Sequence, residues 1–149
     1  MKKVYAVQNL CLNCKLCEVY CKTAHSQTKN IVKAYKEEVP EPSARIVVEG
    51  DNQASLALQC RHCESPACVE ACITGAMQKN PKTGLVSTDE TRCVACMTCL
   101  AACPYGIIRV NERAAMKCDL CQGEEAPACV QNCPNRALVC VDIYEEAER

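Results

Sequence analysis

The chain has 149 residues, 17 of them Cys and five Tyr, with neither Phe nor Trp. Cysteine at about 11% marks either a disulfide scaffold or a metal protein, and the lack of large aromatic side chains excludes a core of the ordinary kind. A formal net charge of −1, with the signs mixed throughout, removes the basic footprint that nucleic-acid or anionic-membrane binding requires.

Residues 1–14, MKKVYAVQNLCLNC, hold two Lys but no apolar run of signal length before Gln8 and Asn9, and no twin Arg. No run approaches the roughly 20 apolar residues that cross a bilayer, so no direct membrane span is expected. The expected location is cytoplasmic. Structural disulfides are rare in a reducing compartment, so the cysteines are expected to be ligands.

Residues 3–8 read as a strand, and the first cysteine group follows as Cys11, Cys14, Cys17 and Cys21. Between residues 22 and 59, Pro40 and Pro42 mark a loop, and residues 45–48 with 54–58 suggest a hairpin turning at 49–53. The second group is Cys60, Cys63, Cys68 and Cys72. Strands are expected near 76–79 and 85–87 around the turn Asn80-Pro81-Lys82-Thr83-Gly84. The third group is Cys93, Cys96, Cys99 and Cys103. A further hairpin is expected from residues 107–110 and 114–117, before the fourth group, Cys118, Cys121, Cys129 and Cys133. Pairing of residues 3–8 with 137–142 would bring the chain ends together. Pro66 and Pro127 predict short helices, since Pro fits a first helical turn where its missing donor would have no partner.

The first and third groups are CxxCxxCxxxC, the second is CxxCxxxxCxxxC and the fourth CxxCxxxxxxxCxxxC, so one loop is repeated four times. Three thiolates at CxxCxxC spacing reach three irons of a cubane cluster, while a fourth Cys, four positions on, leaves on a short helix. In two-cluster ferredoxins, the run CxxCxxCxxxCP supplies three ligands to one cluster and one to its neighbour. Pro104 follows Cys103 and Pro134 follows Cys133. Tetrahedral zinc is built from two CxxC pairs and does not need this third and fourth Cys. A secreted disulfide framework calls for an even count.

CRHCESPACVEACITGA at 60–76, RCVACMTCLAACPYGI at 92–107 and KCDLCQGEEAPACVQNCPNRAL at 117–138 resemble the ferredoxin-like electron-transfer subunits of the dimethyl sulfoxide reductase iron–sulfur family, over nearly the whole chain. Those subunits serve molybdenum or tungsten oxidoreductases, formate dehydrogenases, hydrogenases and carbon monoxide dehydrogenases. The resemblance implies four 4Fe–4S clusters as cofactors. Site A would use Cys11, Cys14, Cys17 and Cys133, and site B Cys118, Cys121, Cys129 and Cys21. Site C would use Cys60, Cys63, Cys68 and Cys103, and site D Cys93, Cys96, Cys99 and Cys72. Lys22 and Ile73 stand where the family has Pro after the fourth Cys.

The implied fold is α+β, two nested bacterial-type two-cluster ferredoxin modules with short helices and β-hairpins. Residues 1–21 plus 107–149 form the outer module, 60–106 the inner one, and 22–59 an inserted loop and hairpin. An oxidised cubane with four thiolates carries about −2 and a reduced one about −3, a charge that backbone amides and nearby cations must solvate. Arg61, His62, Arg92 and Lys117 are candidates for that role, or else ordinary surface residues. His62 is not expected to be a ligand, because its group already has four thiols. Cys140 reads as a small buried strand residue and not a ligand, and Tyr5, Tyr20, Tyr35, Tyr105 and Tyr144 as scattered core or rim residues.

No His, Ser or carboxylate arrangement suggests catalysis, so no catalytic site is expected in this chain. The five Gly, at 50, 75, 84, 106 and 123, form no GxGxxG, so any nucleotide or flavin belongs to a partner. The tail after Asp142 is short and acidic, unlike the longer extension of members docked on membrane anchors, and a soluble complex is expected. The partners implied are a large catalytic oxidoreductase subunit, of carbon monoxide dehydrogenase or tungsten/molybdenum aldehyde or formate oxidoreductase type, and a second electron carrier or flavoprotein. A freely diffusing polyferredoxin is the alternative, against which the near-neutral charge argues. A zinc-stabilised interaction module is the alternative of another class.

Overall fold

The computed structural model describes residues 1–51, 53–111 and 113–143. Strand β1 (Lys2–Ala6) pairs antiparallel with β8 (Leu138–Asp142), so that Val4 faces Cys140 and the two ends of the chain meet. The Met1 ammonium reaches the Asp142 carboxylate at 2.5 Å across this closure. A 3-10 turn (Gln8–Leu10) then leads to helix α1 (Leu16–Ala24).

Three more two-stranded antiparallel sheets follow: β2 (Ile46–Gly50) with β3 (Ser55–Gln59), β4 (Met77–Lys79) with β5 (Val86–Thr88), and β6 (Arg109–Val110) with β7 (Ala115–Met116). Each of their turns is tied by one Asx side chain. Asp51 Oδ1 accepts from the N–H groups of Gln53 and Ala54, Asn80 Oδ1 from Lys82 and Thr83, and Asn111 Oδ1 from Arg113 and Ala114. In the first of these hairpins Gly50 has φ +118°, and a Cβ there would collide with the Ala54 carbonyl oxygen. These pairings follow the sequence expectation with ends displaced by one or two residues. Asn52, at the expected first turn, lies outside the described residues, as do Tyr144 and the acidic tail beyond Ile143.

Helices α3 (Ala67–Glu70), α4 (Thr98–Ala102) and α5 (Ala128–Gln131) are single turns that carry Cys68, Cys99 and Cys129. Pro66 and Pro127 stand as extended residues just before α3 and α5, one position earlier than a first-turn placement. Their carbonyls receive the opening bonds from Val69 and Val130. The inserted segment holds a helix that the sequence pattern does not announce, α2 (Ile31–Lys36), capped by Asn30 Oδ1 accepting from the Lys33 N–H at 3.1 Å.

Two cores result. One gathers Val4, Cys17, Cys21, Ile46, Val48, Ala57, Cys129 and Leu138, so the hairpin of the inserted segment packs with the paired chain ends. The other gathers Cys68, Met77, Val86, Cys99, Ile108 and Ala115. The described tyrosines are rim residues, with Tyr5, Tyr35 and Tyr105 exposed. Cys140 is only half-buried, packed at the edge of the first core and not within it. The two cores contain seven side chains larger than Ala or Cys. That is too few to offset an ordering cost of about 1–2 kcal/mol per residue. Chain stripped of metal under reducing conditions is therefore expected to lose most of its ordered structure. Far-ultraviolet circular dichroism and limited proteolysis before and after chelation check this; a metal-free chain as ordered and resistant as the loaded one would refute it.

Candidate metal centre

Each CxxC pair closes over a residue held in the left-handed region: Asn13 (φ 53°), His62 (φ 44°), Ala95 (φ 52°) and Leu120 (φ 59°). The residue after the second Cys is also left-handed in the two CxxCxxC runs, at Lys15 (φ 58°) and Met97 (φ 62°). None of these is Gly, and each such residue costs about 1–3 kcal/mol. Left-handed residues at turns make successive N–H groups converge on one concavity, the geometry that receives an anion. Four loops of different sequence share this strain at the same position.

Cys11, Cys14, Cys17 and Cys133 line one small pocket together with Leu10, Val48, Ala57 and Leu138. Cys60, Cys63, Cys68 and Cys103 line a second one with Val86, Ile107 and Ile108. The other eight thiols are grouped by their influence on one another. Burial first, and then Cys21, Cys121 and Cys17 beside it, pushes Cys129 up to about 12. Burial, with Cys129, Cys21 and Cys60 adding, pushes Cys118 further upward. Cys99 is raised by burial, with Cys93, Cys72 and Cys96 adding. The last Cys of each group thus sits among the first three of another. Cys140 stands apart from all four sets, in β8.

Burial carries Cys17 to about 12, with the Glu18 carboxylate adding to it. Such thiols stay protonated at neutral pH unless a cation takes the proton's place, the condition that a metal supplies. Backbone N–H groups already point at sulfur: Arg45 to Cys21 (3.2 Å), His62 to Cys60 (3.4 Å), Met77 to Cys72 (3.3 Å), Ala115 to Cys93 (3.4 Å) and Ala137 to Cys133 (3.2 Å). Soft thiolate sets in apolar cavities, with amides aimed at the sulfur, fit iron–sulfur clusters and do not fit hard cations that need oxygen. Only Cys14 and Cys96 are exposed among the cysteines. Leu10, Leu12 and Leu16 flank the first in the chain and Val94, Met97 and Leu100 the second, all exposed apolar residues, with Ile73 exposed next to Cys72.

The four candidate cations separate in the structure. Arg92 donates to the Thr74 carbonyl at 2.9 Å and is exposed, and the Arg61 guanidinium lies 6.0 Å from the Tyr105 ring centre. His62 is buried, and its Nδ1 accepts from the Val86 N–H at 3.1 Å, so the ring is neutral. Burial, with Lys117 and Lys3 adding, lowers its pKa to about 4, and it does not serve as a cation. Lys117 alone turns inward, into the wall of the cavity formed by Cys60, Cys63, Cys68 and Cys103.

One cluster of charges went unnoticed in the sequence. His25, closing α1, donates through Nδ1 to the Cys21 carbonyl at 2.7 Å and through Nε2 to Asp119 Oδ1 at 3.0 Å. Arg45 Nη1 holds Asp119 Oδ2 at 2.5 Å. Burial opposes the charged imidazole, but Asp119 and Cys21 outweigh it and raise His25 to about 9. Burial likewise opposes the Asp119 carboxylate, yet His25 and Arg45 hold it well below the usual range. His25, Asp119 and Cys121 offer ligand atoms within 4.8 Å of one another. The carboxylate is already taken by two cations, so the group is an ion-pair network. Cys21 and His25 are four apart, one helical turn, and that spacing was the available signal; nothing near Arg45 announced its share.

No described helix is long and apolar enough to cross a membrane. Residues 52–143 match the 4Fe-4S dicluster domain family. An iron–sulfur protein of Rhodospirillum rubrum is 36% identical, over 94% of this chain and 82% of its own. The electron transport protein HydN of Escherichia coli K12 is 35% identical, over 93% and 87%. The B component of anaerobic dimethyl sulfoxide reductase from the same strain is 38% identical, over 86% and 67%. In fold, the chain is similar to a chain of the active site complex BamBC of benzoyl coenzyme A reductase, with TM-score 0.51, 22% identity, and 99% and 85% of the two chains covered. The chain belongs to the 4Fe-4S dicluster domain family and is an iron–sulfur protein related to electron-transport proteins.

Proposed function

We propose that the chain is a non-catalytic electron-transfer subunit that holds four 4Fe–4S clusters in a line between a catalytic oxidoreductase subunit and a second redox partner. The observation that carries this reading is the left-handed CxxC loop repeated four times, two copies of which share a pocket with the last Cys of another group. Site A is assigned to Cys11, Cys14, Cys17 and Cys133, and site B to Cys118, Cys121, Cys129 and Cys21. Site C is assigned to Cys60, Cys63, Cys68 and Cys103, and site D to Cys93, Cys96, Cys99 and Cys72. A bound cluster supplies one-electron chemistry, at a potential set by charge, hydrogen bonds to sulfur and exposure.

Cys17 acts on Cys129 and Cys60 on Cys118, which supports the order A, B, C, D with A and D as the ends. The only two exposed cysteines, Cys14 and Cys96, belong to those ends, each within a collar of exposed apolar residues that suits a protein partner. The relative named as a reductase chain supports a fixed catalytic partner, and the motif resemblance suggests one of carbon monoxide dehydrogenase or molybdenum/tungsten aldehyde or formate oxidoreductase type. A diffusing polyferredoxin would not keep two apolar collars in water.

Anaerobically purified protein is expected to hold about 16 iron and about 16 acid-labile sulfide per chain, with interacting signals in electron paramagnetic resonance after dithionite reduction. Zinc in place of iron, or sulfide near zero, would sink the reading. A large catalytic protein is expected to copurify in stoichiometric amount. Cys133→Ala is expected to remove the site A signal and about four of the irons while sparing site B; loss of the site B signal instead would overturn the pairing. Leu12→Glu and Val94→Glu should each keep their iron yet slow electron transfer with the copurified partner about fivefold or more, from one end each. Unchanged rates in both would remove the collars from the interface.

A further inference from the structure

Lys117 is 5% exposed, and among the described residues no carboxylate pairs with its ammonium and no acceptor receives a hydrogen bond from it. A lysine so largely enclosed with no ion-pair partner is uncommon, since its charge is ordinarily left in water. The nearest acid in sequence, Asp119, is already held by His25 and Arg45 and also accepts from the Cys121 N–H. The Lys117 side chain instead lines the cavity of Cys60, Cys63, Cys68 and Cys103, and its charge acts on Cys68 against the effect of burial.

Among the described residues, the basic groups at the other sites are less buried than Lys117 or are bonded elsewhere. Site A has the Glu18 carboxylate near Cys17, tied to the Val48 N–H at 2.6 Å. At site D, Arg92 is exposed and spent on the Thr74 carbonyl. At site B the Asp119 charge offsets one of its two basic neighbours. The pocket of site C is lined by Lys117 and Arg61 and by no acid, and of the two only Lys117 is buried.

Resting on the four-cluster reading above, we infer that Lys117 is the counter-cation of site C, a positioning residue that selectively raises its reduction potential and makes this inner site a holding place for the electron. Reduction adds one negative charge at the site. The electron comes from the catalytic partner, or from dithionite in a titration. None of the four cysteines of site C is exposed, whereas each end of the line exposes one. An electron resting at C is thus kept from adventitious oxidants until the far partner docks.

The test is a mediated redox titration of the full chain, followed by low-temperature electron paramagnetic resonance, in the parent, Lys117→Met, Lys117→Arg and Arg92→Met. Iron content is measured in each, and the site C signal is identified as the one altered in Cys63→Ser. Lys117→Met is expected to shift the site C one-electron equilibrium at least about tenfold toward the oxidised form, about 59 mV. Lys117→Arg should stay near the parent, and Arg92→Met should leave site C unmoved. A site C midpoint unchanged in an iron-replete Lys117→Met protein overturns the inference, as does an equal shift of all four midpoints in both Met variants. If Lys117→Met fails to load, Lys117→Gln carries the same comparison. Iron lost in both neutral variants and kept in Lys117→Arg supports a counter-cation, whereas loss in all three makes Lys117 a packing residue and overturns it. A parent chain without about 16 iron fails the underlying reading before any variant is compared.

Discussion

Burying negatively charged sulfur is the constraint on which the rest of this structure depends. A thiolate in an apolar cavity is unfavourable unless cations and oriented dipoles surround it, and the fold supplies both from its backbone and from very few side chains. Left-handed residues at Asn13, His62, Ala95 and Leu120 turn the CxxC loops so that their amides converge, and N–H groups of Arg45, Met77, Ala115 and Ala137 reach other sulfurs from neighbouring strands and loops. Backbone strain is thus spent where an anion repays it. Without that anion, the same loops combine unfavourable torsions with thiols that burial keeps protonated.

Packing follows from the same constraint. Cys17, Cys21 and Cys129 stand in one core and Cys68 and Cys99 in the other, where a protein of ordinary composition would place Phe or Leu. The strands are short because they do not build a sheet-based core; they close loops. The hairpin of β2 and β3 shows this well. Ser55 Oγ donates to the Cys11 carbonyl at 3.1 Å and Gln59 Nε2 to the Val4 carbonyl at 2.6 Å, so the hairpin braces the first cysteine loop and the strand before it. Its burial of Val48 and Ala57 also forms part of the wall against Cys11, Cys14 and Cys17.

Much of this was legible in the residues, because a ligand loop announces itself through spacing. The four cysteine groups and the hairpins at Asn80 and Asn111 are all local patterns, and they emerged within a residue or two. Helix α2 was not legible, since six residues, IVKAYK, offer too short a stretch for a helical period to stand out from a strand-like run. Charges could not be sorted either. Arg61, His62, Arg92 and Lys117 all stand beside cysteines in the chain, yet one stacks on a ring, one is a neutral buried acceptor, one bonds a distant carbonyl and one turns inward. Side-chain direction at these positions is decided by neighbours far away in sequence, such as Val86 for His62 and Thr74 for Arg92.

The departure from Pro at position 22 illustrates how one residue couples helix length to electrostatics. A Pro there would lack the N–H that the helix ladder uses and would crowd the carbonyl of residue 18, stopping α1 near Cys21. Lys22 lets the helix run on to Ala24, with its ammonium 4.4 Å from the Tyr35 ring centre. That added turn carries His25 round to the face above Cys21, where it can donate to the Cys21 carbonyl and to Asp119 together. Asp119 in turn fixes Arg45, whose own N–H points at the Cys21 sulfur. Removing one Pro thus connects three segments, residues 21–25, 45 and 118–121, around a single group of thiols. The two CxxxC-Pro endings, at Cys103 and Cys133, permit no such extension: α4 stops at Ala102 and α5 at Gln131, and no His follows either.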